Sequence, residues 1–286
     1  MDQLRDPFIG SEALACGVVS RHQLRTRYRA VFPDVYVSTV SPMSLRQRIA
    51  AAWLWSGRRA TIAGLSAAAL HGAKWIDADE VVDLIYDNPK PPRGIRTRRA
   101  ILLDGEQRIV QGRAVTSPAR TAFDLGREGS VDDAVARLDA LARATGLRIG
   151  DVAELAGRHP RVRGLRQLET ALDLVDAGAE SPKETWLRLL LTRAGMPRPR
   201  TQIPVLGSDG VPFAFLDMGW ENCMVAVEYD GEHHQTSRWV YTKDIRRAEK
   251  VDAAGWLVVR VVKEDHPVDI LRRVRHARAS RSVSVL

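Results

Sequence analysis

Phe213-Ala214-Phe215-Leu216-Asp217-Met218, a short link, and Met224-Val225-Ala226-Val227-Glu228-Tyr229-Asp230-Gly231 decide how the second half of this chain folds. Each run is short, apolar and rich in β-branched and aromatic residues, so each predicts a strand. Gly207-Ser208-Asp209-Gly210 supplies a turn before the first. Each strand carries an acid, Asp217 or Glu228, directly after residues of the type that lie inside a sheet. Pairing of the two strands brings these carboxylates within a few ångströms if both face one side. Two like charges so placed repel, and burial strengthens the repulsion. A divalent cation relieves it: Mg²⁺ takes one or two carboxylates and keeps several waters. Such an ion can polarise a phosphate oxygen and activate water. The same spacing also suits two acids that merely cap strand ends in solvent.

Working outward, Pro182–Ala194 predicts a helix with Trp186, Leu187, Leu190 and Leu191 inside, ended by Gly195 and Pro197. Thr242–Ala253 predicts a helix ended by Gly255, Trp256–Val262 a strand, and Asp269–Ala279 a closing basic helix. The order helix, strands, helix, strand, helix implies a mixed sheet covered by helices, an α/β arrangement within a chain that is α+β overall. Gly178-Ala179 breaks the pattern upstream, and a domain spanning 178–286 begins there.

The first half divides into 1–60 and 61–177. Ile9–Arg25 predicts two short helices around Gly17, the second begun by Ser20 as N-cap, and Phe32–Val37 a strand. Ser44–Ser56, Leu65–His71, Ser117–Leu125, Val131–Ala144 and Leu165–Leu174 predict helices, and Val81–Tyr86 a strand. His71, Trp53, Trp55 and Trp75 are expected to pack rather than bind.

Composition narrows the partner. Of 286 residues, 43 are Lys or Arg against 35 Asp or Glu, a net charge of +8, and only six of the 43 are Lys. Arg presents a planar fork that holds phosphate through two bonds. The excess lies in Arg21–Arg59 and Thr236–Leu286, flanking an acidic middle, which suits a polyanion contacted at both ends. An Arg-rich genome that decorates every solvated surface would produce the same excess. No apolar run reaches the ~20 residues of a membrane span. The start lacks a secretory pattern, and Cys16 and Cys223 lack partner spacing. A soluble, cytoplasmic chain is expected, with no membrane partner.

Five ordered blocks carry a resemblance. They are Glu180–Arg188, Asp217, Val227–His234, Asp244–Arg247 and Gly255–Val261. Together they resemble the uncharacterised bacterial family similar to the very-short-patch-repair endonuclease, within the PD-(D/E)xK nuclease superfamily. The resemblance implies a three-layer, restriction-endonuclease-like core with an Mg²⁺- or Mn²⁺-dependent phosphodiesterase site. Glu184 matches the acid on the first core helix, Asp217 the metal-binding aspartate and Glu228 the acid of the third motif. The usual lysine two positions later is Asp230 here. His233 and His234, just after the strand, are candidates for its proton-handling work, since histidine titrates near neutrality. Lys243 and Lys250 are other donors. Asp244 and Arg247 lie three apart on a helix, a spacing that suits a structural pair as well as a functional one.

In the first half, Thr61–Gly72 and Val115–Leu125 resemble the AbiE-type antitoxin family, which joins an N-terminal winged helix-turn-helix to this region. Cys16–Leu24 and the strand at Tyr36 are similar to a shortened winged helix. Arg21, Arg25, Arg27 and Arg29 are placed to hold DNA phosphate there, and Arg246 and Arg247 in the second basic region. Two functions follow: a metal-dependent DNA endonuclease with an N-terminal DNA-binding region, or an inactive DNA-binding regulator or antitoxin-like protein. Both predict DNA affinity that falls steeply with salt, because each neutralised phosphate releases counterions. A binding titration against salt concentration checks this, and a flat dependence would count against both.

Overall fold

The computed structural model describes residues 6–40, 42–231 and 238–282. The chain falls into two compact units, Met1–Asp173 and Leu174–Leu286, divided close to the Gly178-Ala179 break. The architecture is α+β, and no helix among the described residues is long and apolar enough to cross a membrane.

The first unit opens with β1 (Phe8–Ile9), α1 (Gly10–Ala15), α2 (Arg21–Arg27), β2 (Tyr28–Phe32) and β3 (Val35–Ser38). Ser20 caps α2 through a reciprocal box with Gln23, as its position predicts. Strand order is β1-β3-β2. The single strand expected over Phe32–Val37 is instead a hairpin, because Pro33-Asp34 turns the chain with Asp34 at φ 57°. Next, α3 (Leu45–Trp55) packs Ile49 and Ala52 into the core of a second sheet. That sheet comprises β4 (Thr61–Ile62), β5 (Val82–Ile85), β6 (Ile95–Arg98), β7 (Gln107–Val110) and β8 (Arg113–Thr116), in the order β6-β5-β4-β8-β7; α4 (Gly64–Leu70) follows β4. Phe32 from the first sheet joins the same core, so the first 60 residues and those that follow make one unit. Trp53 and Trp55 pack there, whereas Trp75 is exposed.

Helices α5 (Pro118–Gly126), α6 (Val131–Thr145), α7 (Ile149–Gly157) and α8 (Leu165–Leu174) complete this unit. The Val115–Leu125 motif is absorbed by its architecture. Ser117 caps α5 with Pro118 in the first turn, and Thr121 bonds Thr116 across 2.7 Å. Arg120, almost fully buried, binds the equally buried Glu106 and Asp124. His71 is likewise satisfied: Nε2 lies 2.7 Å from the Thr116 carbonyl, and Nδ1 accepts from Arg108. Burial holds its pKa below the ordinary histidine value.

The second unit runs α9 (Pro182–Arg193), β9 (Arg200–Leu206), β10 (Pro212–Trp220), β11 (Val225–Tyr229), α10 (Arg238–Ala253), β12 (Leu257–Val261) and α11 (Pro267–Ser282). Its sheet has the order β12-β11-β10-β9. β11 and β12 are parallel, and α10 supplies the crossover that parallel neighbours require. Leu187 and Leu191 of α9 share one core with Ile270 and Val274 of α11, while Val251 of α10 belongs to the core on the other face. The result is three layers, with the mixed sheet between helices. β9 is hidden in the sequence by Pro204, which an edge strand tolerates because one side has no ladder to feed.

One irregularity positions the acids. Ala214 and Leu216 pack with Ile203, Val205 and Val251, whereas Met218 and Trp220 pack with Leu187, Leu191, Val225 and Val227. Residues two apart on an unbroken strand share a face, so β10 changes faces at Asp217. On β9, Gln202 adopts φ 50° between Ile203, opposite Leu216, and Thr201, opposite Met218. Beyond the change, Gly219 lets β10 and β11 approach closely. A Cβ there would meet the Val225 oxygen at 2.4 Å and the Ala226 Cα at 2.8 Å. Gly219→Ala should therefore destabilise the chain by about 1–3 kcal/mol, read as a lower urea midpoint.

Candidate functional site

At the end of the second unit's sheet, Asp217 of β10, Glu228 and Tyr229 of β11, and Asp230 line a cavity of about 280 Å³ with Asp244 and Arg247 of α10 and Arg260 of β12. The strand pairing explains the convergence. Met218 lies opposite Val227, so the antiparallel register carries Asp217 and Glu228 to neighbouring positions. Val225 and Val227 face α9 and α11 while Ala226 faces α10, which sends Glu228 to the α10 side. Asp217, at the point where β10 changes faces, lies within electrostatic reach of both helical layers.

Glu184 approaches from the other layer, but its oxygens have local work. They accept the Glu180 N–H at 2.8 Å and the Ser181 hydroxyl at 2.9 Å, while the Ser181 oxygen accepts the Glu184 N–H. Ser181 is thus the N-cap of α9, with Glu184 bonded to its hydroxyl and to the preceding N–H. Its buried charge nevertheless acts on Asp217. Burial, then Glu184 and Glu228, push the Asp217 carboxyl up to about 7, against the Tyr229 N–H that donates to it at 2.9 Å and the Arg247 charge.

Glu228 is neutralised differently. Arg247 donates to its carboxylate at 2.9 Å and to the Phe215 carbonyl at 2.7 Å, tying α10 to β10 and β11. The helical spacing that suggested an Asp244–Arg247 pair is not used among the described residues; both line the cavity, but Arg247 bonds Glu228. Asp230 extends the sheet through its N–H to the Val261 carbonyl, with its side chain exposed where the resemblance would place a lysine.

The other expected residues are spread more widely. His233 and His234 lie outside the described residues. Lys243 and Lys250 are exposed on α10 and do not line the cavity. Arg246 is exposed on the same helix. Arg21, Arg25 and Arg27 are exposed on α2, which has seven residues and thus about two turns. Arg29 is exposed on β2, not on the helix. Sequence reasoning singled out neither Tyr229, whose N–H holds Asp217, nor Arg260. For Arg260 the signal was available: a cation inside the otherwise apolar run Leu257–Val261.

Among the described residues, no group of three or more His, Cys, Asp and Glu side chains is arranged to hold a metal ion. The donor set that fits a hard cation is the smaller one of Asp217 and Glu228. Both are carboxylates in a cavity open to water, and Mg²⁺ needs only one or two such ligands. The poorly solvated Asp217 charge is the group that would gain most from a cation.

No family model matches the chain, and no solved structure matches it. The chain is similar to two uncharacterised proteins of Mycobacterium tuberculosis, from the strains CDC 1551/Oshkosh and H37Rv. Each is 29% identical over 224 residues, covering 76% of this chain and 80% of the relative.

The raised Asp217 carboxyl sets a stability prediction. Its ordinary value is 3.8, so between about pH 4 and 7 the folded state keeps a proton that the unfolded state has lost. Stability is full below that window and falls as pH rises through it. Asp217→Asn should match the wild type near pH 4 and exceed it above pH 7, by no more than about 4 kcal/mol. Melting temperature against pH checks this.

Proposed function

We propose that this chain is a metal-dependent DNA endonuclease whose phosphodiester-hydrolysing site is the cavity at Asp217 and Glu228. The observation that carries the reading is the forced proximity of charges: Asp217 is held up to about 7 by burial and two neighbouring acids, in a cavity open to water. Such an arrangement costs stability and gains a use when a dication is present. The order α9-β9-β10-β11-α10-β12, with acids on the helix and on two adjacent strands, supports the resemblance to very-short-patch-repair-like nucleases.

Mg²⁺ or Mn²⁺ would be held by Asp217 and Glu228, with Glu184 adding charge from its capping position; when bound, the ion polarises a phosphate oxygen and lowers the pKa of an attacking water. Tyr229 orients Asp217 through its N–H. Arg247 keeps Glu228 neutralised until the carboxylate takes another cation. The exposed Arg21, Arg25, Arg27, Arg29 and Arg246 hold backbone phosphates without reading bases. His233 and His234, which follow β11 in the sequence, are the groups assigned to move a proton.

One observation favours a second reading, a regulator or antitoxin-like protein that binds DNA without cutting. Asp230 stands where a lysine is expected, and Arg247 already occupies Glu228. Cutting assays with either metal separate the two. On the endonuclease reading the wild type nicks or cuts DNA, Asp217→Ala abolishes cutting while binding survives, and replacing His233 or His234 slows it by roughly 10²–10⁴-fold. A wild type that binds tightly yet cuts no duplex, single-stranded or mismatched DNA would establish the regulator reading.

A further inference from the structure

Arg260 is the second arginine that lines the acidic cavity, beside Arg247. Arg260 lies on β12 in parallel register with Glu228 on β11, so the two side chains leave the sheet on one face, side by side. Arg260 lines the acidic cavity and also the adjoining one of about 290 Å³ formed with Val251, Trp256 and Val258, placing it on the wall between them. Its backbone is pinned, because Arg273 donates to the Arg260 carbonyl at 3.0 Å. Its guanidinium is not. Four carboxylates line the first cavity, yet among the described residues none lies within 4.0 Å of Arg260. Its neighbours are committed: Arg247 to Glu228, and Arg273 to Asp265.

A strand-borne guanidinium beside carboxylates, exposed and without an acidic partner among the described residues, suits a planar anion that arrives from outside. A phosphodiester is such an anion, and Arg can bind it through two parallel hydrogen bonds. We infer that Arg260 holds the phosphate of the bond to be cut, supplying from β12 the positive charge that Asp230 does not supply from β11. This rests on the endonuclease reading. In the reaction the water oxygen bonds to phosphorus, the bond to the leaving sugar oxygen breaks, and that oxygen takes a proton. Arg260 gains and loses none; it positions the phosphate and balances the charge that builds on its oxygens.

The test compares full-length wild type, Arg260→Met and Arg260→Lys. Three measurements are made: single-turnover cutting with Mg²⁺, DNA binding without metal, and labelling of Arg260 by phenylglyoxal with and without a dinucleotide phosphodiester. Arg260→Met should cut about 10²–10³-fold more slowly, the usual loss for one transition-state donor. Its DNA affinity should change less than about threefold, since one phosphate contact among many is lost, and its melting temperature should stay unchanged. Arg260→Lys should recover part of the rate, because it restores the charge without the fork. The dinucleotide should shield Arg260 from labelling in wild type and in Asp217→Ala alike. Equal cutting by wild type and Arg260→Met would overturn the role of Arg260 and leave the endonuclease reading standing. A wild type that never cuts but whose Arg260 is shielded would overturn that reading while the phosphate contact stands. Absence of shielding overturns the contact itself.

Discussion

Asp217 lies where β10 changes faces, with Glu184 on one side of it and Glu228 on the other, and burial strips its carboxylate of much of its water. The neighbouring structure of the second unit responds to that charge. The Tyr229 N–H is turned to the Asp217 carboxylate. Arg247 reaches from α10 to neutralise Glu228 and to hold the Phe215 carbonyl, so the crossover helix is fastened to the two strands that carry the acids. Glu184 is restrained by its own helix cap. Each device lowers the cost of keeping three acids close, and none removes it.

The first unit handles buried charge in the opposite way. There Glu106 and Asp124 are paired with Arg120, and Asp124 also with Arg98 and Arg127. The network reaches the surface at Glu128 and Arg158, and the Arg98 Nε is buried without a hydrogen-bond partner among the described residues. Pairing of this kind offsets the cost of burying each charge. The two units therefore differ: Asp217 of the second is raised by burial and neighbouring acids and lines a cavity, while Glu106 and Asp124 of the first are each paired with arginine. The exposed arginines of α2 and β2 are the first unit's part of the proposed DNA contact.

Much of this was legible in the residues. The caps at Ser20, Ser44, Ser117 and Ser181 announce helix starts, because a hydroxyl reaching an N–H a few residues on acts locally. The runs ending in Asp217 and Glu228 announce strands for the same local reason. β9 was not legible, since Pro204 argues against a strand until its place at the sheet edge is known. Nor were β4, β6, β7 and β8, whose two to four residues each are too short to show a period.

Sequence alone determined which acids this chain carries, that they follow apolar runs on neighbouring strands, and that its basic charge is nearly all arginine. Tertiary structure decided what those residues meet. Glu184 came to bond the cap of its own helix as well as carry a charge, Arg247 went to Glu228 rather than to Asp244, and Arg260 came to stand beside Glu228 without an acidic partner among the described residues. The physical reason is that these outcomes depend on strand register and on the change of face at Asp217. Both are set by packing between residues far apart in the chain, to which local propensity and spacing are blind.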